Sequence, residues 1–266
     1  MQIYHYLQEI RRRQPLIHSM TNSVTIHDMA DALIAVGASP MMAVEIKEVG
    51  DIQSFSQALI LNIGTLTEER LKAMLEAGRA ANKQGVPIIL DPVGAGATRF
   101  RSEAVHHLLS ELDMTIIKGN AGEIAHLAGA DWQSKGVDAG RGHGDLDEMT
   151  RSLAQKYDCL AGLSGEVDIL SDGQDIIHVK NGHPLMSQIT GSGDMLAHIC
   201  GAFCAVAEAD DMEAFVQACV YFAVAGEEAA LDQRVRGNAS FRTALVDHLY
   251  GLTDEKVQEK SKWEVI

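Results

Sequence analysis

The chain has 266 residues, 46% of them hydrophobic, and a formal net charge of −15 at pH 7. This composition excludes a disordered protein, and the length allows either one large domain or two small ones. The acidic charge excludes sequence-independent binding to DNA, RNA or an anionic membrane, because such partners need a basic surface. A small anionic ligand remains compatible with it, because such a ligand responds to the local charge of its site.

Short apolar runs alternate with longer amphipathic ones, after a first predicted helix at about 24–36. The apolar runs that predict buried strands are residues 58–63, 88–90, 114–117 and 159–164. The stretches between them with helical periodicity are about 68–84, 101–111, 121–129 and 148–157. Thr67 suits the N-cap of the first of these helices, and Gly85 suits its end. The alternation predicts right-handed β-α-β units and a parallel sheet.

The remaining segments complete this prediction. Residues 131–147 are polar and rich in glycine, at positions 136, 140, 142 and 144, and they predict a flexible surface loop. Asp172-Gly173 lies between two apolar runs and predicts an antiparallel hairpin at one edge of the sheet. Helices are predicted at about 193–208, 212–232 and 239–253, and the charged tail after Thr253 is predicted to fray. No linker divides the chain, so residues 1–266 are predicted to form a single domain.

The sequence gives no sign of secretion or of a membrane span. Residues 1–13 are amphipathic and charged, without an apolar signal core, and no uninterrupted run of 18 apolar residues occurs. The four cysteines lie in apolar surroundings without the spacing of a zinc site, so we predict buried free thiols. A cytoplasmic protein is expected.

Polar residues follow the C-terminal ends of the predicted parallel strands, which is where ligands bind in such sheets. Asp91, Lys118 and Ser164 each follow or close one of these strands. Because parallel strands end at the same edge of a sheet, we expect a carboxylate, a cation and a hydroxyl to gather there.

The segment Gly191-Ser192-Gly193-Asp194 opens the first of the C-terminal helices. Its two glycines allow a ligand to approach the backbone closely, and the free N–H groups at the helix start form an anion site. An acid at Asp194 suits a general base beside an oxygen that attacks a phosphate. The alternative is a first-turn acid that the helix dipole stabilises.

Asp91 and Glu123 are carboxylates of the kind that bind Mg²⁺ together with water and substrate phosphates. The alternatives are an N-cap for Asp91 and an ordinary helix-start acid for Glu123. Lys118 suits a phosphate contact as a point charge, or it is a surface lysine. The chain contains no Walker A, GxSxG or HExxH motif.

Residues 18–24 and 37–43 combine small polar groups with two methionines, Met41 and Met42. This combination suits a pocket with an apolar wall and a hydrogen-bonding floor. A capped helix next to a core strand is the alternative.

Seven short segments resemble the hydroxyethylthiazole kinase family, in order and at similar spacing, between about residues 15 and 230. They are TN at 21–22, GASPMMA at 37–43, NIGT at 62–65, DPVGA at 91–95, GNAGE at 119–123, GEVD at 165–168 and NGHP at 181–184. Ribokinase-like sugar kinases share the glycine–aspartate turn but not the ASPM and NGHP segments, so the resemblance is specific.

The resemblance implies a ribokinase-like fold, which is a three-layer α/β/α sandwich around a mostly parallel sheet with an antiparallel edge hairpin. It implies phosphorylation of the hydroxyl of 4-methyl-5-(2-hydroxyethyl)thiazole with ATP and Mg²⁺, a salvage step in thiamine biosynthesis. It also implies a homotrimer with the thiazole pocket at subunit interfaces.

The resemblance also implies roles for individual residues, with Asp194 as the general base. The implied residues are Asn22, Met42 and Gly191 for the substrate, Lys118, Ser164 and Gly193 for ATP, and Asp91 and Glu123 for Mg²⁺. The family commonly has Arg where this chain has Lys118 and Thr where it has Ser164. Many members have Cys where this chain has Asp194, whereas the wider ribokinase superfamily uses Asp as its base.

Two other functions remain open. One is a ribokinase-like kinase for another small alcohol, a sugar or a hydroxymethylpyrimidine. The apolar wall of Met41 and Met42 favours a flat heterocycle instead. The other is a thiazole- or thiamine-binding protein without catalysis, and the presence of Asp194 with the pair Asp91 and Glu123 argues against it.

Overall fold

The structure is a computed structural model that describes residues 4–130, 145–208 and 210–266, and the backbone alone of 132–135 and 138–142. The strands are β1 (Leu16–Met20), β2 (Ser39–Met41), β3 (Ala58–Asn62), β4 (Ile88–Asp91), β5 (Ile116–Asn120), β6 (Trp132–Lys135), β7 (Asp138–Gly142), β8 (Leu160–Ser164), β9 (Asp168–Ser171), β10 (Ile176–Val179) and β11 (Trp263–Val265). The helices are α1 (Tyr6–Arg13), α2 (Ile26–Val36), α3 (Val49–Ile52), α4 (Glu68–Gln84), α5 (Arg99–Glu111), α6 (Ala121–Ala128), α7 (Leu146–Tyr157), α8 (Ser192–Cys204), α9 (Asp211–Leu231), α10 (Asn238–Gly251) and α11 (Asp254–Lys260).

Nine of these strands form one sheet in the order β2-β1-β3-β4-β5-β8-β9-β10-β11. The neighbours from β2 to β8 run parallel. At the other edge, β9, β10 and β11 pair antiparallel. The structure therefore confirms a mostly parallel sheet with an antiparallel edge hairpin.

Alternate side chains of the central strands face opposite layers of helices. In β3, Ile60 packs in the cluster of α1, α2, α8, α9 and α10, whereas Leu59 and Leu61 pack in the cluster of α4 to α7. This alternation follows from the two-residue period of an extended strand. Because both faces carry apolar side chains, the sheet is covered on both sides and the architecture is three-layered.

Helix α8 lies close against the middle of the sheet. A Cβ atom at Gly201 would collide with Cδ1 of Ile60 on β3, so the glycine allows this close approach. The same packing places the first turn of α8, with Asp194, at the carboxyl edge of the parallel strands.

Among the described residues, α9 is long and apolar enough to cross a membrane by length and composition alone. However, 78% of its apolar window is buried inside the protein, and the helix packs between α8 and α10. A helix that is apolar on all sides is expected in the core of a protein of this size.

The prediction of a loop at 131–147 is partly wrong. Residues 132–135 and 138–142 form β6 and β7, which pair as a two-stranded antiparallel sheet. Gly140 and Gly142 lie in β7, whereas Gly136 and Gly144 lie outside the described residues. The prediction failed because hydrophobic periodicity does not detect a short polar hairpin.

The tail after Thr253 was predicted to fray, and this is also wrong. Thr253 caps α11, and the Asp254 carboxylate accepts hydrogen bonds from the backbone N–H groups of Leu7 (3.3 Å) and Gln8 (2.9 Å). Beyond α11, β11 pairs with β10. The tail is held by residues distant in sequence, which local charge does not reveal.

The strand predicted at 114–117 is shifted toward its C-terminal end. β5 spans Ile116–Asn120 and pairs with β8 as far as Asn120 opposite Ser164. Lys118 therefore lies within the strand rather than after it. Backbone hydrogen bonds continue the ladder past the last apolar residue, which the hydrophobic pattern cannot indicate.

Candidate active site

The carboxylate of Asp194 is the centre of a hydrogen-bonded cluster at the carboxyl edge of the sheet. Its Oδ2 accepts hydrogen bonds from Asn22 Nδ2 (2.9 Å) and Thr25 Oγ1 (2.6 Å). Its Oδ1 accepts one from Asn62 Nδ2 (3.1 Å). The donors follow β1, begin α2 and end β3, so three separate segments fix one carboxylate.

Backbone groups fix the orientation of both asparagine amides. Asn22 Oδ1 accepts the N–H groups of Val24 (3.0 Å) and Thr25 (3.1 Å), so its NH₂ group faces Asp194. Asn62 Oδ1 accepts the N–H of Gly64 at 2.9 Å, so its NH₂ group also points into the cluster. The amide nitrogens are therefore assigned by the hydrogen-bond network.

Asn62 also joins the cluster to a second buried carboxylate. Its Nδ2 donates to Asp91 Oδ2 at 2.8 Å. Burial raises the pKa of the Asp91 carboxyl to about 8, against the attraction of the Lys118 ammonium. The carboxylates of Asp194 and Glu123 raise this pKa further. Burial, ahead of the neighbouring charges, thus disfavours the ionised form of Asp91.

Lys118 is only 3% exposed, so the surface-lysine alternative is wrong. Burial lowers the pKa of its ammonium, but the surrounding groups, first Asp91 and then Glu123, together raise it above the ordinary value. Lys118 Nζ lies 3.6 Å from where a Cβ of Gly193 would be, at the start of α8. A buried cation therefore faces a helix N-terminus, and both attract an anion.

Glu123 forms a capping box at the start of α6. Its Oε1 accepts the N–H of Gly94 (2.8 Å) and its Oε2 that of Asn120 (2.7 Å), while Asn120 Oδ1 accepts the Glu123 N–H (3.1 Å). Burial raises the pKa of its carboxyl, and these backbone donors oppose the shift. Glu123 therefore ties the loop after β4 to α6, as the helix-start alternative requires.

The other predicted residues lie along the same edge. Ser164 closes β8 opposite Asn120, and Gly191 is the N-cap of α8 with φ +84°. A Cβ at Gly191 would lie 2.7 Å from Cγ2 of Thr25, so only glycine fits this contact. Met42 lies further out, half-buried directly after the edge strand β2.

His198 contacts the backbone of Asp194, and the sequence analysis did not predict it. Its Nδ1 lies 2.7 Å from the Asp194 carbonyl oxygen and its Nε2 lies 2.6 Å from Ser19 Oγ. Burial lowers the pKa of this imidazole to about 4. The neutral ring therefore donates from Nδ1 and accepts from the Ser19 hydroxyl, which ties the first turn of α8 to β1.

Two arginines hold the loops around the site. Arg101 Nη1 donates to the carbonyl oxygens of Ile63 (2.6 Å) and Val93 (2.7 Å), and Arg70 Nη1 donates to that of Thr21 (2.9 Å). The loops after β1, β3 and β4 are thereby fixed by cations on α4 and α5. The sequence offers no local signal for these contacts.

The residues present fit a magnesium ion that is bound by few protein side chains. The part of the chain that the structure describes contains no cluster of three or more His, Cys, Asp or Glu side chains arranged to hold a metal ion. Asp91 and Glu123 instead offer buried carboxylates with raised pKa values. Mg²⁺ is commonly held by one or two carboxylates, with substrate phosphates and water as the remaining ligands.

The fold is that of the ribokinase-like proteins. A ribokinase-like superfamily protein from Enterococcus faecalis V583 matches with a TM-score of 0.64 and 14% identity, over 89% of this chain and 86% of that one. At this identity the likeness shows the fold alone.

Sequence comparison defines the family within that fold. The model of the Hydroxyethylthiazole kinase family matches residues 7–255. A hydroxyethylthiazole kinase of Haemophilus influenzae (strain PittEE) is 45% identical over 257 residues, or 97% of each chain. The solved structure of hydroxyethylthiazole kinase from Pyrococcus horikoshii OT3 has a TM-score of 0.88 and 35% identity, over 99% of this chain and 98% of that one. The chain belongs to the hydroxyethylthiazole kinase family.

His198 makes the protein sensitive to acid in a defined range. Its pKa is lowered from 6.5 to about 4 in the folded state, so between these values the unfolded chain binds a proton that the folded one does not. The stabilising contribution is complete above pH 6.5 and is lost as the pH falls toward 4. His198→Gln should reduce the slope of unfolding free energy against pH by about 1.4 kcal/mol per unit there, measured by urea unfolding.

His107→Gln is the matched control, because His107 is exposed on α5. Its slope should equal that of the wild type. A wild-type slope in the His198→Gln variant would contradict the buried neutral imidazole.

Proposed function

We propose that this protein transfers the γ-phosphoryl group of ATP to the hydroxyl of 4-methyl-5-(2-hydroxyethyl)thiazole, in thiamine biosynthesis and salvage. The observation that carries the proposal is the Asp194 carboxylate, which three donors fix at the start of α8. Family membership supports the substrate. We further propose a cytoplasmic homotrimer.

Asp194 acts as the general base. It takes the proton of the substrate hydroxyl while that oxygen forms a bond to the γ-phosphorus of ATP. The bond from the γ-phosphorus to the bridging oxygen breaks, and ADP leaves with the electron pair. Phosphoryl transfer depends mainly on positioning and electrostatics, and the hydrogen bonds to Asp194 supply the positioning.

The triphosphate binds at the start of α8. The backbone N–H groups of Gly193 and its neighbours face it, and the buried ammonium of Lys118 beside Gly193 adds a fixed positive charge. Ser164 contributes a hydroxyl from the end of β8. Because Lys118 is buried, its charge acts in a medium that screens it less than water does.

Asp91 and Glu123 hold the magnesium ion. When bound, the ion neutralises charge on the phosphates of ATP. Glu123 keeps its capping box in this role, whereas the Asp91 carboxylate accepts a side-chain hydrogen bond only from Asn62 among the described residues.

The thiazole binds between Met42 and the two segments that contain Asn22, after β1, and Gly191, before α8. The thioether of Met42 provides a soft apolar surface for the ring. Asn22 holds Asp194 beside this position. Gly191 faces the hydroxyethyl arm with its backbone, because the methyl of Thr25 fills the place where its side chain would be.

Asp194→Asn should lower kcat by about 10²–10⁴-fold, because the amide cannot accept the hydroxyl proton. Nucleotide binding should persist, since the N–H groups of α8 and Lys118 are unchanged. The measurement is ATP consumption with hydroxyethylthiazole, a sugar or a hydroxymethylpyrimidine as acceptor, together with nucleotide binding by calorimetry.

Asp113→Asn is the control, because Asp113 is exposed and precedes the N-terminal end of β5, away from the carboxyl edge, and it should leave kcat unchanged. The wild type should favour the thiazole alcohol over the other acceptors. Turnover of the Asp194→Asn variant near the wild-type rate would remove Asp194 as the base, and no turnover of any acceptor would leave only a binding protein.

Asp91→Asn should raise the Mg²⁺ concentration for half-maximal activity by about tenfold or more, because the metal loses a charged ligand. Glu123→Gln should shift the same titration in the same direction. The readout is initial rate against Mg²⁺ at fixed ATP, with Asp113→Asn again as control. A titration that superimposes on the wild type would exclude the altered residue from the metal site.

A further inference from the structure

Thr25 occupies the N-cap position of α2, but its side chain does not accept a capping hydrogen bond. A threonine at this position usually accepts a hydrogen bond from a backbone N–H of the first helical turn. In this protein the side chain makes no such bond. The helix therefore forgoes a local stabilisation that its own sequence makes available.

The hydroxyl of Thr25 is directed at Asp194 instead. Its Oγ1 lies 2.6 Å from Asp194 Oδ2, which is shorter than its 3.1 Å distance to Asn22 Oδ1. Asn22 Oδ1 already accepts two backbone N–H groups. Thr25 is 2% exposed, so water does not compete for its proton. The single hydroxyl proton therefore goes to the carboxylate.

The two carboxylate oxygens of Asp194 differ in the number of hydrogen bonds that they accept. A carboxylate oxygen offers about two acceptor positions. Among the described residues, Oδ2 accepts from both Asn22 and Thr25, which fills it, whereas Oδ1 accepts only from Asn62. Oδ1 thus keeps one position for a further donor.

The methyl group of Thr25 has a separate contact. Its Cγ2 lies where a side chain at Gly191 would be, 2.7 Å from the position of that Cβ. The hydroxyl and the methyl of one residue therefore face two parts of the site, the carboxylate and the N-cap of α8. Substitutions can remove one group and keep the other.

We infer that Thr25 is a positioning residue whose hydroxyl, with Asn22, occupies Oδ2 of Asp194 and so leaves Oδ1 to accept the proton of the alcohol. This inference rests on the proposed function. Without the hydroxyl, Oδ2 is held by Asn22 alone, and the carboxylate is free to turn away from the productive orientation. The loss falls on the reaction step and not on binding, because Thr25 holds the base and not the substrate.

Thr25→Val keeps the methyl at Gly191 and removes the hydroxyl, whereas Thr25→Ser does the reverse. Thr25→Val should lower kcat by about 10–100-fold, the effect of one hydrogen bond to a charged group. Its KM for hydroxyethylthiazole and for ATP should stay within about threefold of the wild type, and Thr25→Ser should retain at least about a third of the wild-type kcat, since it keeps that bond.

A double-mutant cycle with Asp194→Asn tests whether Thr25 acts through the carboxylate. In the Asp194→Asn background, Thr25→Val should change the residual kcat by less than about twofold, because there is no base left to orient. If Thr25→Val does not fold, as judged by thermal melting, Thr25→Ala against Thr25→Ser provides a second pair that differs only in the hydroxyl.

The outcomes separate the two proposals. A wild type that does not phosphorylate the thiazole alcohol refutes the proposed function. An active wild type with an unimpaired Thr25→Val variant refutes the role of Thr25, as does a Thr25→Ser variant as slow as Thr25→Val. An undiminished effect of Thr25→Val in the Asp194→Asn background would also refute it, because the hydroxyl would then act elsewhere.

Discussion

Three donors from three segments converge on the Asp194 carboxylate, and the arrangement of the whole site depends on this convergence. Asn22 follows β1, Thr25 begins α2 and Asn62 ends β3. Each donor is fixed in turn by its own backbone surroundings or by burial, so the carboxylate is oriented before any ligand binds. Preorganised groups of this kind need not rearrange during the reaction. Such preorganisation is a main source of electrostatic catalysis.

The balance of charge within the site explains how an acidic protein binds a polyanion. The net charge is −15, yet the ammonium of the buried Lys118 on β5 lies beside the start of α8, where the helix N-terminus adds to its field. Burial and neighbouring carboxylates raise the pKa of Asp91 to about 8. The proposed magnesium ion would favour the ionised form of Asp91 and oppose this shift. The global charge of the chain is therefore compatible with ATP as a substrate.

Sequence analysis predicted the position of the site at the sheet edge better than it predicted the side-chain contacts made there. Asp91 and Lys118 were placed at this edge because parallel strands end on the same side of a sheet. The hydrophobic pattern nevertheless ended β5 too early, since Lys118 lies within that strand. Thr25 was not found, because its partner is 169 residues away and a threonine before a helix ordinarily caps it. Asn62 ends a strand that was predicted correctly, but an amide between two carboxylates has no local signature. The tail after Thr253 was misjudged for the same reason, since Asp254 binds the first helix.

The most direct test of an oriented base at Asp194 is a structure of the Asp194→Asn variant with hydroxyethylthiazole and a non-hydrolysable ATP analogue. We expect the substrate hydroxyl oxygen within about 2.6–3.2 Å of the side chain at position 194, on the side that Asn62 contacts, and facing the γ-phosphate. We also expect Thr25 and Asn22 to contact the other atom of that side chain. A hydroxyl that points away from position 194 and binds another side chain would contradict the role of Asp194 as the base.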